Sequence, residues 1–166
     1  FVEEVRRELL DHYGDKGLYG GGLSVRTTLD SRLQRIADSS LHYGLSAYDR
    51  RHGWRGPLGR VDMEKDWRGA MARIALPSDV IEWKTAVVTG LTAGEVTIGF
   101  ADNTTGIIPF AEMRWARPVD NKGKRGPRIK RPSDVLAAGD VIAVEAVTRK
   151  NKDENWPADT YGLRQV

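Results

Sequence analysis

The residues best suited by type to do chemistry in this chain are a near-copy of a catalytic triplet, three histidines, four acids and one dense run of cations. Lys84-Thr85-Ala86 stops one glycine short of the K-T-G triplet that accompanies an S-x-x-K pair in serine acyl transfer. No serine in the chain has a lysine three places on, so that chemistry lacks both its nucleophile and its base. His12, His42 and His52 are scattered and have no clustered carboxylate, which leaves neither a metal site nor a general base in view. Asp102, Asp134, Asp140 and Glu145 fall at expected turns and strand exits. Acids are common there for solvation and local backbone bonding, and no pair shows the facing geometry that two-carboxylate catalysis needs. With no cysteine, thiolate catalysis, disulfides and cysteine zinc sites are excluded, although the compartment is not fixed. The sequence therefore yields no catalytic, cofactor-binding or metal-binding residue.

One cluster remains. Lys122, Lys124, Arg125, Arg128, Lys130 and Arg131 lie within NKGKRGPRIKR, where Gly123, Gly126 and Pro127 break any regular element. This is an exposed basic loop and the candidate interaction surface, able to meet phosphate, an anionic polymer or an acidic partner; the competing reading is a solvated loop with no ligand. The net charge of +3 carries little information beside this local density. Trp83, Phe100, Phe110, Trp115 and Trp156 would supply stacking surfaces if the ligand were nucleic acid. Most of them sit in alternating strand patterns suited to a core, and acids are interspersed, so nucleic acid is the disfavoured partner.

The elements that position these residues follow from periodicity. Val2, Val5, Leu9 and Leu10 share a helical face within 1–12, and Gly14 then Gly17 end it. Leu23, Val25 and Thr27 alternate with polar neighbours, predicting a half-buried strand. Asp30 is placed to cap a helix whose apolar face runs through Leu33, Ile36, Leu41, Leu45 and Tyr48. A single strand cannot cover that face, so a missing neighbour is expected. Residues 50–59 form a Gly-, Pro- and Arg-rich boundary in which Trp54 anchors the linker. A short helix is predicted within 62–74, closed by Pro77 and Asp79.

From Ile81 the period changes to two. Strands are predicted at 84–91, 95–100, 105–110, 113–116, 141–147 and 161–166, with a helical turn at 132–136 and a polar loop at 150–159. The fold class is thus mainly β with accessory helices (α+β): a small OB-like antiparallel barrel plus a linker strand and helices. Closure is expected because it removes unpaired edges. The predicted organisation is a linker region at 1–60, a helical connector at 61–80 and the barrel at 81–166. No run of apolar residues is long enough to span a membrane. The start at Phe1, with no initiator Met and no leader, predicts an excised fragment.

Several of these segments carry a resemblance. GGLSVRTTLDSRLQRIADSSLHYGLSAYDRRHGWRGP is similar to the segment linking the two catalytic domains of bifunctional class A penicillin-binding proteins of Gram-negative bacteria, the 1A type. Ser31 stands where that family usually has proline, a mild departure at a first helical turn. Residues 84–139, with TTGIIPFAEMRWARP and PSDVLAAGDVIAVE, resemble the OB-like domain inserted early in the transpeptidase region. The resemblance implies a parent that is a single-pass protein of the inner membrane facing the periplasm. Its glycosyltransferase would polymerise lipid II and its transpeptidase would crosslink peptide stems through an acyl-serine. The nucleophilic serine is expected downstream of Val166 and the glycosyltransferase glutamates upstream of Phe1, so no catalytic residue is carried over. The implied role is a non-catalytic regulatory or docking fragment. Its implied partners are the parent's own catalytic domains, a lipoprotein activator or another cell-wall synthesis protein, and peptidoglycan. The alternative is a free-standing OB-fold protein binding nucleic acid or polymer.

Overall fold

A computed structural model describes residues 1–76, 82–147 and 156–165. Two compact units are present, Phe1–Ser39 and Ser40–Val166.

In the first unit, α1 (Val2–Gly20) carries Glu3 and Glu4 in its first turn, where they complement the helix dipole. Gly14 departs from helical geometry at φ 62° and breaks the helix, while the chain resumes helically to Gly20, eight residues past the predicted end. Residues 22–30 form no strand: no described segment offers them the partner N–H and C=O groups a strand requires, so alternation alone misleads here. Asp30 caps α2 (Ser31–His52) as expected, its Oδ1 accepting from the amides of Arg32 at 2.8 Å and Leu33 at 3.3 Å. No residue of α1 or α2 is buried, and Leu33 and Ile36 are more than half exposed.

The second unit is built on one antiparallel sheet of β1 (Gly59–Arg60), β2 (Trp83–Leu91), β3 (Glu95–Gly99), β4 (Thr105–Pro109), β5 (Asp140–Ala146) and β6 (Tyr161–Arg164). Its hydrogen-bonded order is β1-β5-β2-β3-β4, with β6 also on β5. β5 is central. β2 pairs along one edge from Trp83↔Glu145 to Val87↔Val141, whereas β1 and β6 divide the other edge between them. The two hairpins carry the turn chemistry expected of their sequences. Thr92 accepts the amides of Gly94 and Glu95, and Asp102 accepts that of Thr104. Predicted strands therefore appear at β2 to β6 within a residue or two, except that 113–116 is not a strand: Phe110–Met113 forms a 3-10 turn with Met113 fully buried. The helix predicted over 62–74 shrinks to α3 (Trp67–Met71), capped by Asp66. The expected closure by Pro77 and Asp79 and most of the 150–159 loop lie outside the described residues.

The expected closed barrel is not found. The sheet is open in a mixed α/β architecture, because among the described residues no ladder returns from β4 to β6. β4 lies against the start of β6, where a Cβ at Gly106 would sit 2.5 Å from the Tyr161 ring, but the backbone link is an isolated Ile107–Thr160 bridge, with the Ile107 amide donating to Asp159 O at 3.0 Å. Edge protection comes instead from short strands and flanking turns.

Both faces of the sheet centre are covered. Ala86, Val88, Ile98, Ile108, Ile142, Val144 and Leu163 face one cluster with Trp54, Phe100 and Met113. Val87 and Val141 face a smaller cluster with Val61 and Met71. That double coverage explains the unbroken apolar run Val141–Val144. At its start, buried Asp140 accepts from the Ala137 amide at 2.7 Å and pairs with Arg60 at 3.1 Å. Because Ile98 is fully buried and Leu33 is 56% exposed, their truncations should diverge. Ile98→Ala is expected to cost about 2–5 kcal/mol in urea unfolding of the sheet unit, and Leu33→Ala less than about 0.5 kcal/mol.

Candidate functional site: an exposed basic loop

The sequence-predicted cations occupy a loop between two anchors. On one side, the Trp54 amide donates to Arg117 O at 2.6 Å and the Val119 amide to Trp54 O at 3.1 Å. Trp54 itself is 4% exposed and meets Trp115 edge-on at 5.9 Å, so the loop is fixed to the core. On the other side Ile129 and Pro132 are buried and draw the chain back inward.

Between the anchors, two aspartates shape the backbone. Asp120 Oδ1 accepts the amides of Lys122 and Lys124, each at 2.9 Å, and Gly123 completes the turn at φ 75°. Asp134 accepts the amides of Lys130 at 2.7 Å and Arg131 at 3.2 Å, together with Arg131 Nε. The Lys130 amide, followed by Arg131, holds the Asp134 carboxyl below the ordinary aspartate range against a weaker opposing effect of desolvation.

All six cations are exposed, yet they are not equivalent. Arg125 Nη1 donates to Arg51 O at the end of α2, and Arg131 pairs with Asp134. Among the described residues, the side chains of Lys122, Lys124, Arg128 and Lys130 make no hydrogen bond or ion pair. Gly53, which follows α2 at φ 103°, lies against this loop: a Cβ there would sit 2.7 Å from Val119 Cγ2 and 2.8 Å from Arg117 O. An open depression of about 460 Å³ is lined by Pro118, Val119, Asp120, Lys124, Arg125 and Gly126.

The other candidates are placed elsewhere. Lys84 is exposed on β2 with its Nζ 5.7 Å from the Phe100 ring, while Ala86 of the triplet is buried. His12 and His52 bond backbone carbonyls one turn back in their own helices, Glu8 O and Tyr48 O. Asp102 and Asp134 serve turns, Asp140 anchors β5, and Glu145 pairs with Arg164 at 2.5 Å. Hydrogen bonds from the Thr104 hydroxyl and amide lower the Asp102 carboxyl. Among the described residues no group of three or more His, Asp or Glu side chains could hold a metal ion. Of the aromatic residues, Phe100 is buried against Tyr161 at 5.0 Å and Trp115 is half-buried, and the lining of the depression beside the loop contains none.

Sequence spacing missed the contacts that seat the end of α2. Gln165 Nε2 donates to Gly53 O at 2.9 Å and to Asp49 at 3.3 Å, and Asp49 also pairs with Arg55 at 2.8 Å. Arg50 lies 5.7 Å from the Trp115 ring. Burial first and then Arg164 lower its guanidinium, while Glu112 and Glu145 oppose that shift. Partners more than a hundred residues apart leave no local pattern to read.

The family described as the penicillin-binding protein OB-like domain matches residues 54–166. The chain belongs to this family. Its whole length aligns with penicillin-binding protein 1A of Rickettsia typhi at 34% identity, covering 100% of this chain and 19% of that protein. The protein of the same name from Pseudomonas aeruginosa is 32% identical over 144 residues, 87% of this chain and 17% of the relative. The crystal structure of penicillin-binding protein 1A from Haemophilus influenzae shares the fold, with a TM-score of 0.64 at 24% identity over 99% of this chain and 22% of that one. This OB-like domain chain thus spans 19% of the length of its Rickettsia typhi relative. The family's OB-like label coexists here with a sheet that stays open.

Asp134 gives the loop a measurable pH dependence. A lowered carboxyl stabilises the fold fully above the ordinary aspartate value near 3.9, and that contribution disappears as pH falls through the lowered value. Asp134→Asn should therefore flatten the acid limb of the urea-midpoint profile below about pH 4. An unchanged acid limb would show that the two loop amides are not held by this carboxylate.

Proposed function

We propose that this chain is a non-catalytic docking and regulatory part of a bifunctional peptidoglycan synthase. The observation that carries the reading is the family match across a sheet unit that presents an exposed basic loop and no assembled reaction centre among its described residues. In this reading residues 1–60 are linker elements, 61–80 a connector and 81–166 the sheet domain. Glycan polymerisation and peptide crosslinking belong to other parts of a single-pass inner-membrane parent, on whose periplasmic side this part works. Among the described residues no helix is long and apolar enough to cross a membrane.

Three features support an accessory role. The K-T-G-like triplet is consumed by a central strand, the acids are engaged in turns and ion pairs, and the apolar side chains of α2 remain exposed for a neighbour. The parent's catalytic domains are the proposed neighbours of α2. The six cations from Lys122 to Arg131 are the proposed surface for a regulator such as a lipoprotein activator or another cell-wall synthesis protein, with peptidoglycan as a further ligand.

Incubation with a fluorescent β-lactam should leave the 166-residue chain unlabelled, since no serine is paired with a lysine at acylating spacing. Titration with a single-stranded oligonucleotide at several salt concentrations should show no saturable binding. Covalent labelling would reveal an acyl-accepting serine. Tight oligonucleotide binding with a steep salt slope, lost on neutralising Lys122–Arg131, would assign the loop to nucleic acid; either result defeats the docking reading.

A further inference from the structure

Resting on that docking reading, we infer that the basic loop recognises an acidic polypeptide surface: carboxylates spread over a protein partner, gripped by Lys122, Lys124, Arg128 and Lys130.

The loop's backbone excludes the usual way of holding a compact anion. Successive amides at a turn form a concave nest for phosphate or sulfate. At both turns of this loop the free amides are already taken by an anion of the chain itself, because Asp120 accepts from Lys122 N and Lys124 N, and Asp134 accepts from Lys130 N and Arg131 N. Asp120 also lines the open depression beside Lys124 and Arg125, placing a negative charge where a small anion would settle. What the loop offers outward is a set of separate side-chain charges. Such a set matches separated carboxylates better than one phosphate group.

Two other macromolecular partners fit less well. Single-stranded nucleic acid needs stacking faces beside the cations, and residues 117–131 contain no aromatic residue. A bilayer needs a second anchoring signal besides basic charge, and the loop's largest apolar side chain, Ile129, is 9% exposed and turned into the core.

The six cations divide by task. Arg125 and Arg131 are engaged within the chain, on Arg51 O and Asp134 respectively, and so serve to hold the loop. The other four carry recognition. This division separates a built surface from a mere excess of charge, because equal charge removed at different positions should have unequal effects.

The test uses the full 166-residue chain with poly-L-glutamate as probe, beside inorganic polyphosphate and phosphatidylglycerol vesicles, at about 0.15 M salt. Lys124→Gln with Arg128→Gln and Lys130→Gln should weaken poly-L-glutamate binding about tenfold or more. The charge-matched control, Arg7→Gln with Arg26→Gln and Arg32→Gln, should change it less than about twofold. Arg125→Gln should leave affinity within about twofold while speeding amide exchange at the end of α2. Binding of poly-L-glutamate that falls equally in both triple variants would reduce the effect to net charge and overturn the inference. Preference for polyphosphate or for the vesicles, abolished by the loop triple, would overturn it in favour of phosphate chemistry or a membrane. No poly-L-glutamate binding, with the oligonucleotide also unbound and the β-lactam unreacted, would defeat the acidic partner and leave the docking reading standing.

Discussion

Strand β5 is the constraint on which the sheet unit depends. Like β2 it is paired along both edges and covered on both faces, but among the described strands it alone pairs with three others, so its residues cannot move without disturbing three strands and two clusters of apolar side chains. Its first residue is buried Asp140, tied to Ala137 and Arg60, and near its end Glu145 reaches Arg164 of β6. A buried carboxylate left unpaired is costly, so Asp140 also fixes where the strand begins. The split of its outer edge between β1 and β6 follows from the lengths of those strands, two and four residues, neither of which fills the edge alone.

That split also explains which parts of the fold were legible in the sequence. Alternation located β2 to β5 because each buries at least one face, and a period of two records burial directly. It failed at 23–28, where the same alternation has no adjoining strand among the described residues, since pairing depends on partners that periodicity does not encode. Closure failed for a related reason. Counting strands gives the number of edges to be satisfied but not the way they are satisfied, and here, among the described residues, β4 reaches Thr160 through an isolated bridge and forms no ladder with β6. β1 went unread because two residues inside a Gly- and Pro-rich stretch have no period at all.

The candidate site was legible in its composition and illegible in its wiring. Glycines and proline among cations announce an exposed loop, and the loop is exposed. Asp120 and Asp134 stand at its borders, and their roles as acceptors for the loop's own amides depend on turn geometry that spacing only hints at. The contact from Arg125 to the end of α2 spans 74 residues, and no local rule reaches that far.

A loop whose frame is fixed before binding loses less entropy to a partner, because fewer groups have to be ordered on contact. Here the backbone is ordered beforehand: Trp54 clamps one end through two main-chain bonds, Ile129 and Pro132 seat the other, and the aspartates fill the turns between. Only the lysine and arginine side chains remain to be ordered by a partner. The same Trp54 segment follows directly from α2, whose last turn is held by Gln165 and Arg125. Core, helix end and charged loop therefore share one set of contacts, and a ligand that displaced Arg125 would have to release the carbonyl of Arg51 as well. Loop and helix end are thus joined directly by the hydrogen bond from Arg125 to Arg51 O.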